Sequence, residues 1–335
     1  MQPFEKEHEI VRELSAQMVF DGSEPFSAWQ SDARSRLSAL LGIDYFAACA
    51  PDVQIEWERE EAAFTEIRFS FCSEPDYRVP CHLLLPHTVR HAGVMICLQG
   101  HSTGMHISLG RVRFDGDEKT IQGGDRDFAL QCVRRGLCAV TLEQRGFGEK
   151  GGTPATNCYE AAMTALLSGR TLLGGRVWDV MRLIDVLSAQ FASRCDTSRI
   201  YCMGNSGGGT TSFYAAALEE RIAAAMPSCA FCTFSESIGG VYHCACNYVP
   251  RIRQYFDMAE LAAMIAPRPL VIVSGQHDSI FPVAQAKSEF ARLQAYYAAA
   301  GAAENCAHVI GEAGHRFYAD AAWPEFLRLV GKDQS

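Results

Sequence analysis

A serine flanked by glycines is the first feature of this sequence whose residues could do chemistry. The segment Gly204-Asn205-Ser206-Gly207-Gly208 follows a short apolar run and opens a helical pattern. In such a strand–turn–helix setting the turn is so sharp that side chains two positions before and after the serine would clash, which explains the glycines. The helix dipole at this point favours developing negative charge. The pattern predicts that Ser206 is a nucleophile.

A serine hydroxyl needs a general base, and the base needs a carboxylate to orient it. Where the nucleophile lies on this kind of turn, the chain order is serine, then acid, then histidine. Asp278 comes just after the apolar run 269–273, and His315 lies between the last predicted strand and the last helix. We therefore predict Asp278 as the orienting acid and His315 as the base.

Acyl transfer also needs donors for the negative charge that builds on the carbonyl oxygen, and losing one such donor costs roughly 3 kcal/mol. The residue after the nucleophile, Gly207, is expected to supply one backbone N–H. The second is expected from the loop Leu98-Gln99-Gly100-His101-Ser102. We assign it to the N–H of His101, because Gly100 permits the turn that points this group inward.

Two long segments follow predicted strands, residues 101–125 and 228–255. Long ordered loops in compact domains are usually functional or lid-like. Their aromatic and basic side chains predict a closed, partly apolar pocket for the acyl group. The predicted substrate contacts are His106, Arg111, Arg113, Phe231, Tyr242 and Tyr248.

The chain has 14 cysteines, several of them inside apolar strand-like runs, which favours buried free thiols in a reducing compartment. One group has the residue types of a zinc site. The Cys-x-Cys pair in this group fits a tetrahedron poorly, so we expect packed thiols and no metal; the alternative is a structural zinc ion. The group consists of Cys229, Cys232, His243, Cys244 and Cys246.

Composition excludes several classes of function. The 335 residues are 48% hydrophobic and 21% charged, with a net charge of −9. This balance argues against binding to nucleic acid or to an anionic membrane. No apolar run is long enough for a membrane helix, and the charged residues 1–14 do not form a secretory signal. The sequence predicts a cytoplasmic protein that acts on a small molecule.

From residue 94 onward, short apolar runs alternate with helical patterns. The alternation predicts an α/β fold, a mostly parallel twisted sheet with helices on both faces and ligands at the carboxyl ends of its strands. The predicted strands are residues 94–98, 137–142, 199–203, 223–226, 269–273 and 307–310. The predicted helices are residues 126–135, 172–191, 208–217, 283–299 and 318–330.

The predicted organisation has two parts. Residues 1–50 form a helical extension, with helical spacing over residues 1–41, that could mediate a homo-oligomer. Residues 51–335 form the catalytic domain, with a lid-like insertion at 229–255. Residues 55–71 and 77–85 are predicted as two strands of an antiparallel edge.

At these motifs the chain resembles the α/β-hydrolase superfamily over about residues 78–330. Together with Ala266-Pro267-Arg268-Pro269-Leu270, the serine turn and the loops of Asp278 and His315 look like the branch related to dienelactone hydrolase. The chain is similar to the acetyl xylan esterase and cephalosporin C deacetylase group, including its Gly100-His101 loop. This resemblance implies deacetylation of a sugar or another small ester without a cofactor. Dienelactone hydrolases proper use a cysteine where this chain has Ser206.

The predicted function is therefore a serine esterase that acts on a short acyl ester through an acyl-enzyme. Two alternatives remain at this stage. A serine peptidase similar to the prolyl oligopeptidase family would use the same three side chains. A catalytically silent binding protein would keep only the fold.

Overall fold

The computed structural model describes residues 2–152 and 157–331, and it contains one nine-stranded sheet. The strands are β1 Gln54–Glu60, β2 Phe64–Glu74, β3 Tyr77–Pro86, β4 Gly93–Leu98, β5 Cys138–Leu142, β6 Asp196–Asn205, β7 Ile222–Ser228, β8 Leu270–Gly275 and β9 Cys306–Gly311. The helices are α1 Pro3–Glu13, α2 Phe26–Leu41, α3 Asp117–Gly123, α4 Phe128–Arg134, α5 Tyr159–Leu167, α6 Leu172–Val186, α7 Gly207–Leu218, α8 Ile252–Tyr255, α9 Met258–Ala263, α10 Val283–Ala299 and α11 Ala319–Gly331.

The order of the strands in the sheet is β1-β2-β3-β5-β4-β6-β7-β8-β9. The first three strands pair antiparallel, as does β3 with β5, and every later pair is parallel. At the centre β4 and β6 run side by side, with Leu98 opposite Gly204. The carboxyl ends of β4, β6, β8 and β9 therefore meet at one edge, and the α/β prediction is confirmed.

Helices cover both faces of the sheet. On one face α2, α6, α7, α9 and α10 pack over a continuous apolar core. On the other face α4 and α11 bury a second core around Trp323 and Phe326. Helix α2 contributes Trp29, Leu37 and Leu41 to the first core, so the N-terminal segment is packed into the domain.

Two elements differ from the predicted ones. The helical pattern of residues 1–41 is interrupted over residues 14–25, where Gly22 has φ 81° and Pro25 precedes α2. The strand predicted over residues 55–71 is in fact β1 and β2, joined by a short turn after Glu60. Glutamate and alanine at that turn have low strand propensity, and β1 is an exposed edge strand.

The two long loops contain structure of their own. Residues 101–125 hold a 3₁₀ turn at Met105–Leu109 and helix α3, and the 229–255 insertion holds a 3₁₀ turn at Ala245–Asn247 and helix α8. Within the predicted parts 1–50 and 51–335, residues 1, 153–156 and 332–335 lie outside the described residues. In the described ranges, none of the helices has the length and apolar character required to cross a membrane.

Candidate active site

Ser206 lies on a strained turn between β6 and α7. Its backbone has φ 57° and ψ −125°, in a region that residues other than glycine rarely adopt. The flanking glycines leave no room for side chains. A Cβ added at Gly204 would lie 2.4 Å from the Gly208 carbonyl, and a Cβ added at Gly208 would lie 2.1 Å from the Leu98 carbonyl oxygen. The structure therefore contains the sharp turn that the glycine pattern predicts.

The buried Asp278 and the half-buried His315 form a hydrogen-bonded pair beyond β8 and β9. His315 Nδ1 lies 2.8 Å from Asp278 Oδ2, and Asp278 Oδ1 accepts from the N–H groups of Ile280 at 2.8 Å and Phe281 at 3.1 Å. Burial alone would raise the pKa of Asp278, but the hydrogen bond and charge of His315, with these two N–H groups, hold it below its ordinary value. The carboxylate is therefore fixed and ionised at neutral pH.

Backbone contacts join the serine turn to this pair. The Ser206 N–H donates to the Ser228 carbonyl at 2.8 Å, and the Ser228 hydroxyl donates to Asn205 Oδ1 at 2.9 Å. The next residue, Cys229, has its sulfur within 4.8 Å of the ligand atoms of Asp278 and His315.

The second nitrogen of His315, Nε2, is buried. It makes no hydrogen bond to any residue in the described ranges, and so none to the hydroxyl of Ser206. Hydrogen bonds of this kind are commonly long before substrate binds. Nε2 is thus left without a competing partner.

Cys229 is a second nucleophilic atom near His315. Its thiol is buried, and burial together with Asp278 raises its pKa to about 12. A thiol with that pKa is protonated at neutral pH and is not an activated nucleophile. Ser206, at the accessible turn, is the better candidate.

The loop after β4 contacts the serine turn directly. An added Cβ at Gly100 would lie 2.5 Å from the Asn205 carbonyl and 2.9 Å from Ser206 Cβ. The backbone N–H groups of His101 and Gly207 have no acceptor within the part of the chain that is described. Two donors without partners thus lie beside the candidate nucleophile, as an oxyanion site requires.

Two clefts open beside these groups. One, of about 250 Å³, is lined by Lys119, Thr120, Gly123, Gly124, Arg126, His315 and Arg316. The other, of about 310 Å³, is lined by His101, Ser102, Thr103, Asp115, Gly116, Asp117 and Thr120. Both are bordered by α3, in the loop that the sequence indicated as functional.

Three of the predicted substrate contacts lie in this loop or beside it. His106 is buried and is hydrogen-bonded to Asp117 Oδ2 at 2.8 Å, so its ring supports the loop. Arg111 forms an ion pair with Glu66. Arg113 is exposed, and its backbone N–H also donates to Asp117.

The three predicted contacts from the insertion are placed differently. Phe231 is 1% exposed and packs on Phe213 in the main core, so its assignment to the pocket is corrected. Tyr242 is 96% exposed and lines neither cleft. Tyr248 borders another cleft, formed with Val11 and Leu14 of the N-terminal segment. These three aromatic residues of the insertion thus lie in the core, on the surface and at another cleft.

The predicted cysteine group is also separated in the structure. Cys229 lies beside Asp278, and Cys232 donates its S–H to the Pro282 carbonyl at 3.6 Å. Only Cys244 and Cys246 of that group come together, and they meet His101 and Cys158. Spacing could not reveal this set, because its members come from three distant segments.

Comparison with solved structures identifies the architecture. A putative acetyl xylan esterase from Bacteroides fragilis NCTC 9343 superimposes with a TM-score of 0.75 at 15% identity, covering 98% of this chain and 89% of that one. The chain has the α/β-hydrolase fold. A second α/β structure, Methylesterase BT1017, gives a TM-score of 0.71 at 24% identity, covering 98% of this chain and 68% of that one.

Sequence comparison adds two findings. A model of the prolyl oligopeptidase family matches residues 167–330, just under half of the chain. Putative hydrolase YtaP of Bacillus subtilis (strain 168) is 26% identical over 316 residues, 90% of this chain and 99% of that protein. The resemblance on the Gly204–Gly208 turn and the loops of Asp278 and His315 is thus matched by the fold.

Proposed function

We propose that this α/β-hydrolase is a serine esterase for small esters with a short acyl group, acetyl above all. One observation carries the proposal: Ser206 occupies a strained, glycine-flanked turn at the same sheet edge as the hydrogen-bonded Asp278–His315 pair. A hydroxyl, an imidazole and a carboxylate in that order are the groups that acyl transfer needs.

Each group has a defined task in the proposed mechanism. Ser206 Oγ attacks the ester carbonyl while His315 Nε2 takes its proton. Asp278 keeps the other proton on Nδ1 and stabilises the imidazolium. The N–H groups of His101 and Gly207 bind the oxyanion. His315 then protonates the leaving alcohol. In the second half of the reaction His315 takes a proton from the water that attacks the acyl-enzyme and returns it to Ser206 Oγ.

The substrate class follows from the compared proteins, which include an acetyl xylan esterase and a methylesterase. A small ester is in keeping with clefts of about 250 and 310 Å³ beside the site. This chemistry needs no cofactor and involves neither nucleic acid nor membrane. We place the enzyme in the cytoplasm, which suits its free cysteines, and a homo-oligomer formed through the N-terminal segment stays a prediction.

The test is the Ser206→Ala variant on p-nitrophenyl acetate, with fluorophosphonate labelling of the parent protein. We expect the variant to lose at least about 10³-fold in kcat and all labelling, because Cys229, the other nucleophilic atom beside His315, stays protonated. Ser212→Ala is the matched control, since this buried hydroxyl on α7 donates to the Gly209 carbonyl instead. Turnover by Ser206→Ala equal to that of the parent would refute the proposal. A parent that neither labels nor turns over would favour the silent binding protein.

The family match favours a second candidate, a serine peptidase. The same three side chains would serve, with an amine as leaving group. The strands of the described ranges all belong to one sheet, so those ranges hold no second β-domain to gate access. Assays of short peptides beside acetyl esters on one preparation separate the two, and we expect the esters to be turned over faster.

A further inference from the structure

Three cysteines and a histidine meet beside the serine turn, outside the proposed triad. They are His101 after β4, Cys158 just before α5, and Cys244 and Cys246 in the insertion. One ligand atom from each lies within 4.8 Å of all the others. The 3₁₀ turn Ala245–Asn247 allows both sulfurs of the Cys-x-Cys pair to join the group, which the sequence spacing had argued against.

The distances match those of a tetrahedral site. His101 Nε2 lies 3.4 Å from Cys246 Sγ and 3.9 Å from Cys158 Sγ. With Zn–S of about 2.3 Å and Zn–N of about 2.0 Å, neighbouring donors of a tetrahedron are roughly 3.5–3.8 Å apart. The two separations from His101 are thus close to those of a Cys₃His zinc site, and every other pair of donors lies within 4.8 Å.

A buried arginine supplies the matching charge. Arg176 is 1% exposed, and its Nη2 donates to Cys158 Sγ at 3.3 Å. Its other partners within the described chain are Cys246, the Arg145 carbonyl and the Phe147 ring, and none of these is a carboxylate. Three thiolates and Zn²⁺ carry a net charge of −1, which one guanidinium neutralises.

We propose that His101, Cys158, Cys244 and Cys246 bind a structural zinc ion. Protein side chains occupy all four coordination positions of the ion, so no position is open for water or substrate. It joins the insertion and the segment before α5 to the loop after β4. The His101 ring also lies against Gly207, where an added Cβ would come within 3.1 Å of Nδ1. The metal therefore holds in place the loop that carries the His101 N–H.

The test is metal analysis of the full chain, purified from cells grown with zinc and passed over a chelating resin. We expect about one zinc per chain. Cys158→Ser and Cys246→Ser are each expected to retain less than about a tenth of it. Cys232→Ser is the matched control, a buried thiol outside the group, and should keep the parent content. A parent free of zinc, or an equal loss in the control, refutes the site.

A second measurement covers variants that fail to fold. Cobalt added to the metal-free parent should give the thiolate charge-transfer and visible bands of a tetrahedral site, and their absence counts against the proposal. Mass spectrometry of the unreduced chain is the other arm. A disulfide among Cys158, Cys244 and Cys246 in the isolated protein would also overturn it.

An independent observation concerns Arg126, which lines the cleft of about 250 Å³ next to His315. The residue is 8% exposed, and its buried Nε has no hydrogen-bond partner in the described ranges. Burial lowers its pKa to about 10, so the guanidinium is still charged at neutral pH. A buried charge without a partner is strongly unfavourable.

The rest of this cleft adds positive charge. Lys119 and Arg316 also line it, and no carboxylate side chain is among its lining residues. Arg316 is itself paired with Asp125 at 2.6 Å, whereas Arg126 has no carboxylate partner in the described ranges. A carboxylate from outside the protein would satisfy it, because guanidinium binds carboxylate with strong, charge-assisted hydrogen bonds.

We infer that the preferred ester carries a carboxylate that binds Arg126 while the ester group lies at Ser206. This inference rests on the proposed esterase function. The test compares 4-acetoxybenzoate with its neutral methyl ester in the parent, Arg126→Gln and Arg134→Gln. Arg134, which is exposed and paired with Asp127, matches the change in charge away from the cleft.

The parent should favour the anionic ester in kcat/KM. Arg126→Gln should lower the ratio of anionic to neutral ester by at least about tenfold, whereas Arg134→Gln should keep it. An unchanged ratio in Arg126→Gln refutes the subsite and leaves the esterase intact. If the parent hydrolyses neither ester, the esterase proposal fails instead. Calorimetric binding of 4-hydroxybenzoate to the parent but not to Arg126→Gln would then still support the carboxylate site.

Discussion

Replacing Asp278 by asparagine should disable the histidine without disturbing the loop around it. The backbone N–H groups of Ile280 and Phe281 both donate to Oδ1. An asparagine would keep its carbonyl oxygen there, because only that atom accepts these bonds. Its NH₂ group would then face His315 Nδ1, where the carboxylate oxygen now accepts at 2.8 Å.

That exchange reverses the roles of the two imidazole nitrogens. Facing a donor, Nδ1 must become the acceptor, so the proton moves to Nε2. A protonated Nε2 cannot take the proton of Ser206. The equivalent change in a serine protease lowers kcat about 10⁴-fold with the geometry intact. We expect the same order of loss here, equivalent to about 5 kcal/mol in the activation barrier.

The assay is kcat for p-nitrophenyl acetate at neutral pH, with the melting temperature measured on the same sample. Asp257→Asn is the matched control, since Asp257 is also buried and accepts from the backbone N–H groups of Phe234 and Met258 rather than from His315. The control should keep kcat within about twofold. If Asp278→Asn folds and retains more than a tenth of the parent kcat, the assigned acid and the tautomer argument are both wrong.

Two further predictions concern the neighbouring loops. Gly100→Ala should lower kcat about 10²-fold, because its Cβ would lie 2.9 Å from Ser206 Cβ and displace the oxyanion loop; Gly331→Ala, where the added Cβ meets open space, is the control for steady-state kinetics. Burial raises the pKa of Glu143, which holds the Met105 and Glu149 N–H groups, to about 7. The native state therefore loses stability as pH rises from about 4.5 to 7. In Glu143→Gln the melting temperature should change less with pH over that range. Parallel curves of melting temperature against pH for the two proteins would contradict this.

The elements that sequence predicted well are those with a local signal. Helix α10 begins at Val283 and ends at Ala299, as its periodicity predicts, and each parallel strand lies within a few residues of its apolar run. The glycines around Ser206 carry a steric reason that is legible without coordinates. Because parallel strands present their carboxyl ends at one edge, the position of Asp278 and His315 just after two such strands is enough to place them there.

The residues that sequence analysis missed act through distant partners. Arg126 has no motif, and only its burial without a partner draws attention to it. Cys158 is an ordinary thiol in the sequence and becomes a candidate ligand only where the chain folds back on His101. Phe231 shows the opposite error, since an aromatic residue in a long loop is as readily a core residue as a contact for substrate.

His101 connects the two proposals that surround the site. Its backbone N–H is assigned to the oxyanion, and its ring joins the cysteine group. If zinc holds the ring, its removal should affect catalysis through the position of the N–H, so kcat should fall with little change in KM. Loss of a substrate contact would instead raise KM. Measuring kcat and KM before and after chelation therefore distinguishes a metal that positions the His101 N–H from a metal that binds substrate. A metal-free enzyme with the kcat of the parent would show that the cysteine group does not affect the oxyanion loop.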